Sequence, residues 1–288
     1  MKSPLGLEAR LPIFDLFKDA VFLLWAKRGR LVSMFLPIIV VLVVLRLFSS
    51  SMGASFLEAI DAMDIETEGW PDGTGSLIVV VLVSLLLSVL FATTVHRFSL
   101  QDASIWPKNA LRVPAVSDWR YLFRTIQVIA LATLASVFTS TVGMVVIAII
   151  TGAQTPEALT QYSQVLNILI VILMLYVFAR LSVTLPEIAI GTQGSGIERA
   201  WKMSKGNGFR LIIVVIILPF IVALPFLLLY QFDNLVMTVL ASFGAYSMTL
   251  ISFTVLSLSY QFLLEFYEPQ DGETVQPETS SSDDSLDA

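Results

Sequence analysis

Apolar residues along this chain gather into six long runs separated by short stretches that hold most of the charge. The runs cover about 31–52, opening LVSMFLPIIVVLVVL, then 76–95, 125–151, 165–187, 211–231 and 235–263. Each reaches the length of about 20 residues that lets a helix cross a hydrocarbon core. In lipid the backbone must satisfy its polar groups within the segment, so the runs predict helices. A membrane barrel would instead alternate apolar and polar positions in strands of about ten residues, a pattern the chain lacks. The expected fold is all-α, a polytopic bundle of six transmembrane helices.

Three connecting segments have a shared texture: FDLFKDAVFLLWAKRGRL at 14–31, VSDWRYLFRTI at 116–126 and SGIERAWKMSKGNGFRLII at 195–213. Each mixes tryptophan, other aromatics and basic residues, and places an arginine at the mouth of the next run: Arg30, Arg124 and Arg210. In the first, Phe14, Phe17, Val21, Phe22, Leu24 and Trp25 recur at helical spacing opposite Asp15, Lys18 and Asp19. This is the pattern of amphipathic helices lying in the membrane interface. It suggests three tandem units, about 11–98, 112–190 and 195–264, each an interfacial helix followed by a helical hairpin. The same texture also follows without a repeat, because basic loops and interfacial tryptophans are general features of inner-membrane proteins.

Charge sorts the connections into two classes. Lys27, Arg28 and Arg30 precede the first run; Arg97, Lys108, Arg112, Arg120 and Arg124 lie between the second and third; Arg199, Lys202, Lys205 and Arg210 lie between the fourth and fifth. The alternate connections carry Glu58, Asp61, Asp64, Glu66, Glu68 and Asp72, then Glu157, then Asp233, with no basic residue. Basic loops stay on the cytoplasmic side, so both termini are expected in the cytoplasm. About thirty residues precede the first run, which is longer than the apolar region of a cleaved signal peptide, so it should remain as an anchor. The organisation expected is a cytoplasmic segment 1–30, a membrane domain 31–264 and an acidic tail 265–288. That tail is too polar to offset its ordering entropy and should be disordered; it is either a solubilising end or a docking segment for a protein partner.

Composition supports the membrane reading. Of 288 residues, 56% are hydrophobic and only 14% charged, against about a quarter charged in soluble domains. There is no cysteine, which removes thiolate metal sites and cysteine nucleophiles, and His96 is the single histidine. Paired-histidine zinc sites are therefore excluded. GSGIERAW at 194–201 has glycines before a helix but lacks the Lys-Ser/Thr of a phosphate-binding loop. The sequence thus points away from an enzyme, and no metal, cofactor or nucleic acid is expected.

Charges inside a hydrocarbon run mark a site or an end. FARLSVTLPEIAIG, 178–191, holds both Arg180 and Glu187. One reading makes Arg180 an anchor that snorkels to the headgroups, with Pro186 and Glu187 starting the loop. The other turns Arg180 into the bundle, to bind an anionic group. The pair is seven residues apart, long for a direct contact in a straight helix, and Pro186 is expected to bend or end the helix there, which would bring them closer. Arg46, toward the other end of the first run, is expected to reach the acidic 58–72 loop. Small or polar stripes occur at Ser84, Ser88, Ala92 and His96, at Ala132, Ser136, Ser140 and Gly143, and at Ser247, Thr254, Ser257 and Gln261. Such stripes pack helices closely or line a solute path. Pro37, Pro219 and Pro225 fall within runs.

The segment ARLSVTLPEIAIG…GIERAWKMSKGNGFRLI, 179–212, resembles a poorly characterised family of bacterial six-span inner-membrane proteins. It also resembles the membrane domain fused to some glycerophosphoryl diester phosphodiesterases. The matching positions are Arg180, Pro186, Ala200, Trp201, Lys205 and Gly206. The resemblance implies a six-span inner-membrane fold; the phosphodiesterase catalytic domain is absent from this sequence, so no activity carries over.

Together these features predict an accessory, structural or lipid-interacting component of the inner membrane. Arg124, Lys202, Lys205 and Arg210, with Arg180, are the candidate contacts for anionic inner-leaflet lipid headgroups or a ligand. The rival reading is a small-solute or lipid permease built on Arg180 and the polar face of the sixth run. Oligomeric state stays open.

Overall fold

The computed structural model describes residues 10–62, 73–152, 156–192, 196–232 and 234–267. The acidic segment 63–72, Asp233 and the tail beyond Tyr267 lie outside these residues, and so does the expected encounter of Arg46 with the 58–72 acids. The protein is an all-α bundle, with no strand among the described residues. Six helices are long and apolar enough to cross a membrane: Arg28–Gly53, Thr74–Leu100, Val116–Thr151, Gln164–Ser182, Gly208–Gln231 and Leu235–Tyr267.

The elements in chain order are α1 (Ile13–Ala26), α2 (Arg28–Ala62), α3 (Thr74–Leu100), α4 (Val116–Thr151), α5 (Pro156–Ser182), α6 (Leu185–Ala189), α7 (Ile197–Met203) and α8 (Gly208–Leu211). A π-helical stretch, Ile212–Ile217, then leads into α9 (Leu218–Leu227), and α10 (Leu235–Tyr267) closes the bundle. The basic connections share one end of the bundle, here the basic end.

α1 departs from the single apolar face read in the sequence. Leu16, Ala20 and Leu24 are its buried positions, one per turn; Leu16 and Ala20 join α10 and the fifth span in a core with Val215, Leu256 and Leu263, and Leu24 joins a second core with Met34, Phe35 and Phe98. Phe14, Phe22 and Trp25 stay exposed. At 100° per residue they form a second apolar face, with Asp15 and Asp19 between the two. The helix wedges between bundle and surroundings.

The second expected interfacial helix is not separate. Residues 116–126 are the first turns of the 36-residue α4 itself. The third is cut into the short α7 and α8. Of the two outcomes expected near Pro186, a bend or an end of the long helix, the structure has the end. α5 stops at Ser182, and Pro186 sits in the first turn of the separate α6, where a missing N–H breaks no helix bond.

Phe35 of α2 meets Phe91 and Phe98 of α3 edge-to-face, with ring centroids 5.7 and 5.9 Å apart. The loop after α3 folds back over this core: Trp106 stacks on Phe98 at 4.6 Å, and Ala110 donates its N–H to the Met34 carbonyl. Lys27 lies over the Trp106 ring at 4.8 Å. The α4–α5 hairpin is held differently. Gly143 packs against Leu166 inside it, but Val137, Phe138, Val145 and Ile149 are exposed, and the hairpin joins the rest chiefly at the basic end, through α6, α7 and α8.

Candidate functional site

The buried polar groups of this protein concentrate at the basic end, in three adjoining ties. The first is built on Asp118, 1% exposed. It sits three residues after Ala115 at the start of α4, and its Oδ2 accepts the Ala115 N–H at 2.7 Å, capping the helix it belongs to. Arg112 grips the carboxylate with two parallel bonds, Nη1 to Oδ2 at 2.6 Å and Nη2 to Oδ1 at 2.7 Å. The Thr93 hydroxyl donates to Oδ1 at 2.8 Å, and Arg97 approaches it at 3.5 Å. A carboxylate offers about four lone-pair sites, and all are engaged. Arg97 also donates Nε to the Ala189 carbonyl at 2.8 Å and Nη2 to Ser117 at 2.7 Å. One carboxylate and two guanidiniums thus join α3, α4 and α6.

The second tie is His96, fully buried. Its Nδ1 is 2.8 Å from Ser257 Oγ on α10, and its Nε2 is 3.1 Å from Tyr121 Oη on α4. Ser99 donates to Thr254 at 3.4 Å one turn further along. The stripes that include His96, Thr254 and Ser257 therefore do pack helices. Ser247 and Gln261, read in the same stripe, are exposed.

The third tie answers the question of Arg180 and Glu187. Arg180 is 6% exposed and does not reach outward. It donates Nε to Ser204 Oγ at 3.0 Å and Nη2 to the Trp201 carbonyl, while its guanidinium stacks 3.5 Å from the Trp201 ring centre. Tyr176 adds an acceptor oxygen at 3.4 Å. Glu187, 1% exposed, pairs with Arg199 at 3.4 Å. Nearby, Asn207 Oδ1 accepts the Leu11 N–H at 2.9 Å, and Arg210 Nη1 donates to the Leu11 carbonyl at 2.8 Å. The segment before α1 is pinned through both of its backbone groups.

The candidate residues from the sequence are therefore not gathered into one pocket. Arg180 and Arg210 hold the fold together. Arg124 is half-buried, within electrostatic reach of Glu187 and 3.4 Å from Gln127. Lys202 is exposed and pairs with Glu198 at 2.5 Å. That pairing lowers the Glu198 carboxyl below its ordinary value and raises the Lys202 ammonium. Lys205 is exposed. Arg46, at the other end, stacks over Tyr230 at 5.1 Å. Asp118 and Arg112, the strongest pair, were missed; the one sequence signal was an acidic residue in the first turn of a predicted helix.

A cavity of about 330 Å³ opens between the fourth, fifth and sixth spans. On α10 its lining residues are Ala245, Met248, Thr249, Ser252, Phe253 and Leu256. At 100° per residue these share one face; Thr254 lies opposite it and Ser257 at its flank. On α5 the cavity meets Phe178 and Ser182, while Arg180 between them turns away to α7. The side chains that tie helices together therefore lie off the cavity, whose own polar residues are Ser182, Thr249 and Ser252.

The chain matches no family model, no curated protein and no solved structure in these comparisons.

Proposed function

We propose that this chain is a non-catalytic multi-pass protein of the bacterial inner membrane, serving as an accessory, structural or lipid-interacting component. The observation that carries this reading is the arrangement of the helices just described: buried polar side chains tie helix to helix, and the cavity presents mainly apolar groups. The resemblance of 179–212 to six-span inner-membrane proteins fits the same reading. In it, the basic end faces the cytoplasm with both termini, and the acidic connections face outward.

The lipid contact belongs to the exposed Lys202 and Lys205 and the half-buried Arg124 of the basic end. Lys202, Lys205 and Arg124 attract anionic inner-leaflet headgroups. Arg180 and Arg210 contribute indirectly, by holding α7 and α8 in place. The exposed Phe14, Phe22 and Trp25 of α1 enter the headgroup boundary. The tail after Tyr267 is a candidate docking segment for a protein partner.

Native mass spectrometry from mild detergent tests this. The wild-type chain should retain anionic phospholipid, and a Lys202→Gln/Lys205→Gln/Arg124→Gln variant should retain less. Equal retention by both would sink the headgroup assignment. Single cysteines placed at Lys108 and Asp72, in a background free of cysteine, should react with impermeant reagent from opposite sides of the membrane.

The permease alternative requires Arg180 and the polar face of the sixth span to share a water-filled path. Arg180 is engaged by Trp201 and Ser204, and Ser257 by His96, so the geometry favours the accessory reading.

A further inference from the structure

The cavity between the fourth, fifth and sixth spans has the dimensions of one leaflet. Along α10 it runs from Leu256 to Ala245, eleven residues, or roughly 16 Å at the α-helical rise. Half of a hydrocarbon core is about 15 Å. Its upper limit is fixed by the polar ties: Leu256 adjoins Ser257, which holds His96, and Leu185 of α6 closes that end. The cavity therefore starts beside the His96–Ser257 tie and extends along the fifth span from Val215 to Leu227.

Its shape comes from local sequence. The π-helical stretch Ile212–Ile217 precedes Pro219, and Pro219, Ala223 and Ala245 offer little side chain. A groove is left where larger residues would fill the space between helices. α5 contributes only its last turns to the wall. Further down, Val171 and Ile172 of α5 and Phe220 and Leu224 of α9 are exposed, so the groove continues sideways into the lipid-facing surface of the spans. The hydroxyls of Ser182 and Thr249 already donate to the carbonyls of Ala179 and Ala245 in their own helices. A polar solute would find few partners there.

We propose that this groove holds one acyl chain of a phospholipid from the leaflet at the basic end, inserted laterally between α5 and the α9–α10 pair. The inference rests on the lipid-interacting reading but concerns the chain of the lipid and not its headgroup. Continuity with the bilayer-facing surface, an apolar wall and a length of one leaflet all match that occupant.

The test uses the full chain in vesicles of phosphatidylethanolamine and phosphatidylglycerol, with a trace of phospholipid carrying a photoactivatable diazirine in mid-chain. After illumination, labelled peptides are mapped. Expected labelling at 215–223 and 245–256 exceeds that at the lipid-exposed Val145 and Ile149 severalfold per residue. Ser252→Phe and Ala245→Phe, which each fill the groove, should abolish the excess and leave Ile149 labelling unchanged. Two variants are used so that a folding failure in one does not remove the test. Even labelling over all exposed positions would overturn the proposal. So would an excess that survives in both monodisperse variants. Headgroup retention by Lys202, Lys205 and Arg124 is scored separately, so the two readings fail independently.

Discussion

Arg180 and Glu187, seven residues apart across Pro186, do not meet; both take hold of α7, Arg180 through Trp201 and Ser204 and Glu187 through Arg199. The break between α5 and α6 makes this possible, because it places the two side chains on separate helices. Arg180 presents a planar fork to one hydroxyl and one carbonyl while stacking on an indole. Lysine cannot reproduce that arrangement. Arg180→Lys should therefore free α7 nearly as much as Arg180→Ala. Trypsin should cleave at Lys202 and Lys205 faster in both variants than in wild type. Slow cleavage in Arg180→Lys would show that charge alone suffices.

Asp118 is the anion shared by Arg112 and Arg97. Removing one partner of a buried ion pair costs about 3–5 kcal/mol, because the other charge stays behind unpaired. Asp118→Ala should destabilise by that order, measured by thermal unfolding in detergent. Arg112→Ala should cost less, since Arg97 and Thr93 still serve the carboxylate. The opposite ranking would mean that Arg97 does not share the charge.

His96 joins three spans through Ser257 and Tyr121. Interhelical hydrogen bonds in membranes average about 0.6 kcal/mol and reach about 1.7. A double-mutant cycle of His96→Ala with Ser257→Ala should give a coupling in that range. A coupling near zero would mean the two groups are close but not bonded.

Much of the architecture was readable from hydropathy, since long apolar runs in lipid have few alternatives to helix. The ends of the helices were less readable. Residues 116–126 look interfacial in isolation, yet Asp118 caps them onto the third span. α1 reads as having one apolar face because hydropathy does not distinguish a face that meets protein from one that meets lipid. The site was least readable. Arg210 and Leu11 are 199 positions apart, and nothing local marks a backbone carbonyl as an arginine's partner. Arg112 counted as a free loop cation until folding placed it on Asp118. The small and polar stripes were informative where they are buried, at Ala92, His96 and Ser257, and uninformative where the residue is exposed, at Ser247.

Two glycines at helix contacts should respond differently to alanine. A Cβ at Gly143 would meet the methyl end of Leu166 at 2.5 Å, and a Cβ at Gly208 would strike the ring of Tyr176. Leu166 can rotate aside; the ring is held by Arg180 and by Phe209 at 5.0 Å. Gly208→Ala should cost about 1–3 kcal/mol, the usual range for overpacking, and Gly143→Ala should cost less. Tyr176→Ala should recover part of the loss in Gly208→Ala but none in Gly143→Ala, as read by unfolding midpoints.

Lys202 is paired with Glu198 on the exposed side of α7, so its charge is partly masked from the membrane surface. The pairing lowers the Glu198 pKa and raises that of Lys202. A depressed carboxyl contributes above its ordinary range, and the contribution is lost as pH falls through the lowered folded value. A raised ammonium contributes below the ordinary lysine range, and the contribution is lost as pH rises through the raised folded value. The pair is therefore intact across the neutral range. If Lys202 serves anionic headgroups, Glu198→Gln should increase retained phosphatidylglycerol at pH 7, and Lys202→Gln should decrease it. Mild acidification of the wild type toward pH 5 should not imitate Glu198→Gln, because the carboxyl stays ionised there. Retention that rises with acidification alone would assign the effect to another group.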